Sequence, residues 1–290
     1  MAAGLTTAAS YFAQQNVYHK AEAVFDQSSN DIARDITERL STYVQVLVQT
    51  RGFVEASGPV TREEFATYIK SIDINKSYPG VQGVGIALLV PAAQIDAHIR
   101  EIRSHGFPEY SVRPPNPRAF YYPITMIEPF NWRNQRAFGY DMMTEETRRK
   151  SMEQARDSGL PQLSGKVRLV QETDEAPQPG FLLYVPKYQS GSDTSTIEGR
   201  RRYLESFIYS PFRSIDLMQG IFGRIYRHDQ VVSFEIYDGE APTSDGALYI
   251  RSTNGPQFNK PGHRPHFSKL KQVEVYGRHW TLYTLSLIHI

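Results

Sequence analysis

"LTTAASYFAQQNVYHKAEAVFDQSSNDIARDITERLSTYVQVLVQTR", residues 5–51, contains neither glycine nor proline. So long a run without a helix breaker reads as one helix, roughly 70 Å long at 1.5 Å per residue. Phe25, Ile32, Ile36, Leu40, Tyr43 and Leu47 recur at helical steps, a stripe with coiled-coil spacing that Ser28, Ser29 and Arg39 interrupt. Two readings are open. The stripe packs the helix across its own domain, or it is the seam of a stalk that rises from a membrane and pairs with a second copy.

Beyond the stalk, helices alternate with strands. Thr61-Arg62-Glu63-Glu64 reads as a capping box that opens a helix to about Asp73. Tyr78-Pro79-Gly80 is a turn, and Val81 to Val90 is an apolar, β-rich strand. Pro91 precedes a helix from Ala92 to His105, which Gly106 ends. Arg118 to Ile127 reads as a strand, Thr144 to Ser158 as a helix stopped by Gly159, and Gln162 to Gln171 and Gly180 to Tyr188 as two strands. "QSGSDTSTIEG", residues 189–199, reads as a linker, and after it come a strand from "RRYLESFIYS", a helix and three more strands. The expectation is an α+β chain: a stalk helix over 1–57, then α+β units over 58–190 and 191–290, with antiparallel sheets.

Composition narrows the function. At 290 residues the chain can bury a substantial core. A net charge of +1 gives a nucleic-acid partner no electrostatic support. The absence of cysteine excludes disulfides, thiolate metal sites and a cysteine nucleophile. No apolar run reaches the roughly 18 residues of a membrane span, and no signal peptide is present, so the sequence reads as a piece of something longer. Catalytic motifs are absent too. "GVQGVG" precedes a strand where a phosphate cradle should follow one. His263 and His266 are the only histidines close together, in a loop better read as solvated surface than as a metal site. Neither cofactor nor metal is expected.

One acid is conspicuous. In "AFGYDMMTEETRRKSMEQARDSG", residues 137–159, Asp141 stands between Tyr140 and a Met pair just before a helix. Either it caps that helix, or it faces a cavity and holds something.

"YPGVQGVGIALLVPAAQ", the Asp141 stretch with its continuation "LPQLSGKVRLVQE", "GFLLYVPKY" and "SPFRSIDL" resemble the successive blocks of the CHASE domain. That family comprises extracytoplasmic sensory domains of membrane histidine kinases and diguanylate cyclases, the plant cytokinin receptors among them. The resemblance covers roughly residues 60 to 220. It implies a long membrane-proximal helix carrying two PAS-like subdomains, the distal one holding a small-molecule ligand. It also implies a periplasmic or other extracytoplasmic location, a homodimer, and flanking transmembrane helices outside this sequence. Asp141 matches the acid that hydrogen-bonds heteroaromatic N–H groups, so a nitrogen heterocycle is the expected ligand type. Leu163 matches a residue whose backbone meets the ligand. Tyr184 falls where the cytokinin receptors carry a smaller threonine, which puts the cytokinin pocket itself in doubt. Tyr121 and Met126 are candidate lining with ordinary strand core as the alternative, and Met142 and Met143 offer an adaptable apolar wall. A protein-interaction module without a small-molecule ligand is the alternative function.

Overall fold

The structure, a computed structural model, describes residues 2–175, 177–223, 232–250 and 265–286. The breaker-free run is a single helix, α1 (Ala2–Ser57), which carries Gly52 without ending. Phe25, Ile32, Ile36, Leu40, Tyr43 and Leu47 are all buried, in one core shared with both sheets of the molecule. Ser29 interrupts the stripe only in sequence. Its hydroxyl is buried and meets the Thr284 hydroxyl at 3.0 Å. The expected pairing seam over residues 25–47 is therefore corrected: these side chains already face the chain's own sheets and present nothing to a second copy. The exposed large apolar residues of α1 lie further toward its N-terminus, at Tyr11, Phe12, Val17, Tyr18 and Val24.

The capping box forms as read. Thr61 and Glu64 bond reciprocally at the start of α2 (Arg62–Ile72), and the helix ends at Asp73 in a left-handed conformation. The first sheet is antiparallel and built from β1 (Val84–Leu88), β2 (Ile124–Glu128), β3 (Gln162–Leu163), β4 (Gly180–Tyr188) and β5 (Leu204–Arg213), in the order β2-β1-β5-β4-β3. α3 (Ile95–Ser104) and α4 (Glu146–Ser158) lie in the connections. The second sheet contains β6 (Val232–Asp238), β7 (Ala247–Ile250), β8 (Ser268–Val275) and β9 (Arg278–Ser286), in the order β8-β9-β6-β7, with α5 (Ser214–Phe222) before it. This is the α+β plan of a long helix carrying two PAS-like antiparallel sheets.

Four expectations need correction. "RRYLESFIYS" is not all strand: a short helix, Ile197–Tyr203, capped by Thr196, precedes β5. β5 pairs with both β1 and β4, so a boundary at 190 would cut through the middle of the first sheet. The expected strand from Arg118 breaks into Phe120–Tyr121 and Ile124–Glu128 at Pro123, which has no N–H to donate. The expected strand to Gln171 stops at Leu163, because the chain turns there to dock on the second sheet. Leu163 N–H donates to the Tyr276 carbonyl at 2.9 Å, and Lys166 N–H donates to Asp238 Oδ2 at 2.7 Å. Gly165 is needed at this joint, since a Cβ would approach Asp238 Oδ2 to 3.0 Å and Thr147 Cγ2 to 2.9 Å.

Candidate ligand site

Alternation along β4 and β5 divides the first sheet into two apolar faces. Phe181, Leu183, Val185, Ile208 and Phe212 point toward α1, whereas Leu182, Tyr184, Phe207 and Tyr209 pack on the outer face, with Met142 and Met152 over them. The candidates separate accordingly. Asp141, Met142, Met143 and Tyr184 gather on the outer side. Leu163 and Met126 belong to the core on the α1 side, and Leu163's N–H is committed to Tyr276, so neither stands beside Asp141. Tyr121 lies in a two-residue ribbon with Val90 and accepts a hydrogen bond from Arg118 N–H at 3.3 Å.

Asp141 is fully buried. It caps a turn, as one reading requires, but the turn is the 3-10 segment Met142–Thr144. The following helix, α4, is capped instead by Glu145, which accepts from Thr147 N–H and Arg148 N–H. Oδ1 of Asp141 does the capping, accepting from Met143 N–H at 3.2 Å and from Tyr122 N–H at 2.9 Å. Oδ2 has no hydrogen-bond partner among the described residues. Arg118 Nε stands 3.5 Å from it, an ion-pair distance rather than a hydrogen bond. Burial pushes the Asp141 carboxyl above the usual range, and the Tyr122 and Met143 N–H groups and the Arg118 charge oppose that shift. Half of this carboxylate is used by the fold, and half is left over.

The space around it is tight. Tyr184 is fully buried; its hydroxyl donates to Met142 Sδ at 3.3 Å, and its ring packs near Phe207 and Tyr209. The phenol fills the room that a threonine would leave. A cavity of about 10 Å³, enough for at most one water, lies between Tyr140, Met142, Arg148, Gln171 and Tyr209. The buried Tyr209 hydroxyl has no partner among the described residues. Sequence reasoning missed Arg118, Tyr122 and Tyr209. Tyr122 acts through its backbone, which no residue type announces, and Arg118 meets Asp141 only through tertiary folding. Among the described residues no group of three or more histidine or acidic side chains could hold a metal, and His263 lies outside those residues.

The sequence profile of the CHASE domain matches residues 58–249, well over half of the chain. The chain belongs to the CHASE domain family. This CHASE domain is accordingly an extracytoplasmic sensory domain and not a catalytic one. Among curated proteins, none matches the sequence significantly. Among solved structures it is similar to the ligand-binding domain of the Pseudomonas aeruginosa PAO1 amino acid chemoreceptor PctB, described in complex with L-Arg. That similarity has a TM-score of 0.46 and 9% identity, covering 92% of this chain and 96% of that one. Among the described residues no helix is long and apolar enough to cross a membrane.

Proposed function

We propose that this CHASE domain is the ligand-sensing part of a membrane receptor, a histidine kinase or diguanylate cyclase whose transmembrane helices flank the sequence. It binds a small organic molecule bearing N–H donors, a nitrogen heterocycle being one such type, in the outer half of the first sheet. The supporting observation is the spare oxygen of Asp141. A buried carboxylate oxygen without a hydrogen bond is costly, and a ligand N–H would satisfy it with a charge-assisted bond. Binding would bias α4, whose Thr147 lies against Gly165 at the joint with the second sheet. For a signal to result, the ligand must bind two arrangements of that joint with different affinity.

A second reading, an interaction or dimerisation module with no small-molecule ligand, draws on the tight packing around Tyr184 and the size of the cavity. Native mass spectrometry of the purified domain separates the two. A co-purifying small molecule, retained by wild type and lost from Asp141→Asn, supports the sensor reading. A bare mass in both, together with no response to a panel of heterocycles, supports the second.

A further inference from the structure

Arg118 stands on a short strap. Residues 114–118, "PPNPR", include three prolines, which have no N–H to donate. The strap is pinned at its ends: Arg113 N–H donates to the Gly139 carbonyl, Asp141 N–H to the Arg113 carbonyl, and Ala92 N–H to the Ala119 carbonyl. Between those pins its own backbone N–H groups make two bonds. Asn116 N–H turns back to Pro114 within the strap, and Arg118 N–H reaches the Tyr121 hydroxyl. Pro115, Asn116 and Pro117 are exposed. Next to this loosely held strap lies the fully buried, half-used carboxylate of Asp141, with Arg118 Nε 3.5 Å from its Oδ2 and about a quarter of the Arg118 side chain exposed (24%).

We propose that Arg118 is a built-in competitor for the Asp141 site, and that the ligand which opens the strap is a small organic cation with N–H donors, of the guanidinium, amidinium or protonated amino-heterocycle type. The inference rests on the sensor reading given above and adds its regulation and the charge of its ligand. Lifting the strap removes the one cation close to Asp141 among the described residues. A neutral ligand would then leave a buried charge unpaired or force the carboxyl to take up a proton, whereas a cation restores the balance and supplies the hydrogen bond that Oδ2 lacks. Tyr121 is the latch. Its hydroxyl holds the backbone of Arg118 in the closed position, so its part in the site is to position the strap rather than to line a pocket.

The test is chemical rescue. Wild type, Arg118→Ala, Tyr121→Phe and Arg118→Ala/Asp141→Asn are compared by thermal shift with methylguanidinium chloride and with methylurea, its neutral counterpart. Arg118→Gln serves in place of Arg118→Ala should the alanine variant fold poorly by circular dichroism. Methylguanidinium should raise the melting temperature of Arg118→Ala by about 2–4 °C at a tenfold excess over its Kd. Wild type should need at least about ten times more, and the double variant should not respond. Tyr121→Phe should respond between wild type and Arg118→Ala. Equal response of wild type and Arg118→Ala, an equal response of the double variant, or methylurea matching methylguanidinium would each overturn the proposal. Binding that depends on Asp141 but is indifferent to Arg118 would remove the competitor and leave the sensor reading standing. No Asp141-dependent binding in any variant would remove both.

Discussion

The two faces of the first sheet are made of similar residues and do different work. The face toward α1 is apolar and belongs to a core that runs from the stripe of α1 into the second sheet, with Leu163 and Met126 on it. The outer face is equally aromatic, yet it carries two buried oxygens without hydrogen bonds, Asp141 Oδ2 and the Tyr209 hydroxyl, and a sparsely held, proline-rich strap. Buried polar atoms left unpaired are uncommon in folded proteins. The α1 side has a cavity of the same size, about 10 Å³, among Tyr43, Leu47, Val84 and Phe212, but its core spans both sheets. The half-used carboxylate and the strap are therefore what place responsiveness on the outer side.

Substitutions on each face sharpen or break that contrast. The largest effect is expected at Ile36, buried under both sheets. Ile36→Asp should cost more than about 4 kcal/mol and leave little folded protein, since the charge has no partner in an apolar core. A folded, monomeric Ile36→Asp domain in chemical denaturation and sedimentation would return residue 36 to an intermolecular seam. Next is Leu163→Ala, which should cost about 2–5 kcal/mol in urea unfolding while leaving ligand affinity unchanged in any variant that folds. An affinity loss without a stability loss would move Leu163 to the outer face.

Asp141→Asn should act the other way round. Loss of the charge-assisted bond should weaken binding of the ligand about ten- to a hundredfold by calorimetry. Asn can still accept the Tyr122 and Met143 N–H groups, so the fold should be retained. Its pH dependence has a definite sign. Because burial holds the Asp141 carboxyl above its unfolded value, the folded protein binds the proton more tightly than the unfolded chain does. The stability linked to Asp141 is thus fully present below its unfolded pKa of about 4 and is lost as pH rises through the raised folded value. Melting curves between acid and neutral pH should therefore show Asp141→Asn gaining on wild type as pH increases. Asp141→Asn losing ground to wild type as pH rises would mean that Arg118 and the two N–H groups outweigh burial.

The smallest effect on folding is expected at the exposed apolar residues of α1. Phe12→Glu with Val17→Glu should change stability by less than about 0.5 kcal/mol. If the receptor pairs along α1, the same double change should shift the domain toward monomer in sedimentation, where Ile36 substitutions merely unfold it.

Much of this was legible locally. The run from Leu5 to Arg51, the Thr61 capping box and the strand Gly180–Tyr188 are each set by residues within a few positions of one another. The assignment of faces was not. A strand buried on both sides shows no apolar–polar alternation, so nothing in "GFLLYVPKY" says that Tyr184 turns outward and Leu183 toward α1. The stripe of α1 has the same ambiguity, because intramolecular core and coiled-coil seam use the same spacing. The boundary near 190 failed because a strand late in the sequence, β5, sits inside the sheet rather than at its edge. Asp141 stood out as a carboxylate in an apolar stretch, and the structure buries it. Its partner Arg118 was not, because only tertiary folding brings the two together.

α1 also has a mechanical consequence. Its stripe is clamped from Phe25 onward, and Ala21 and Tyr18, whose ring meets Phe267, extend the contact. The helix continues back to Ala2, with the side chains of residues 9–17 mostly exposed. That overhang is about 24 Å long at 1.5 Å per residue. A tilt of about 5° at the clamped end would carry Ala2 sideways by about 2 Å over such a length. A change in packing too small to disturb either sheet is thereby magnified along the overhang, which makes α1 a lever whose fulcrum is the contact of Tyr18 with Phe267.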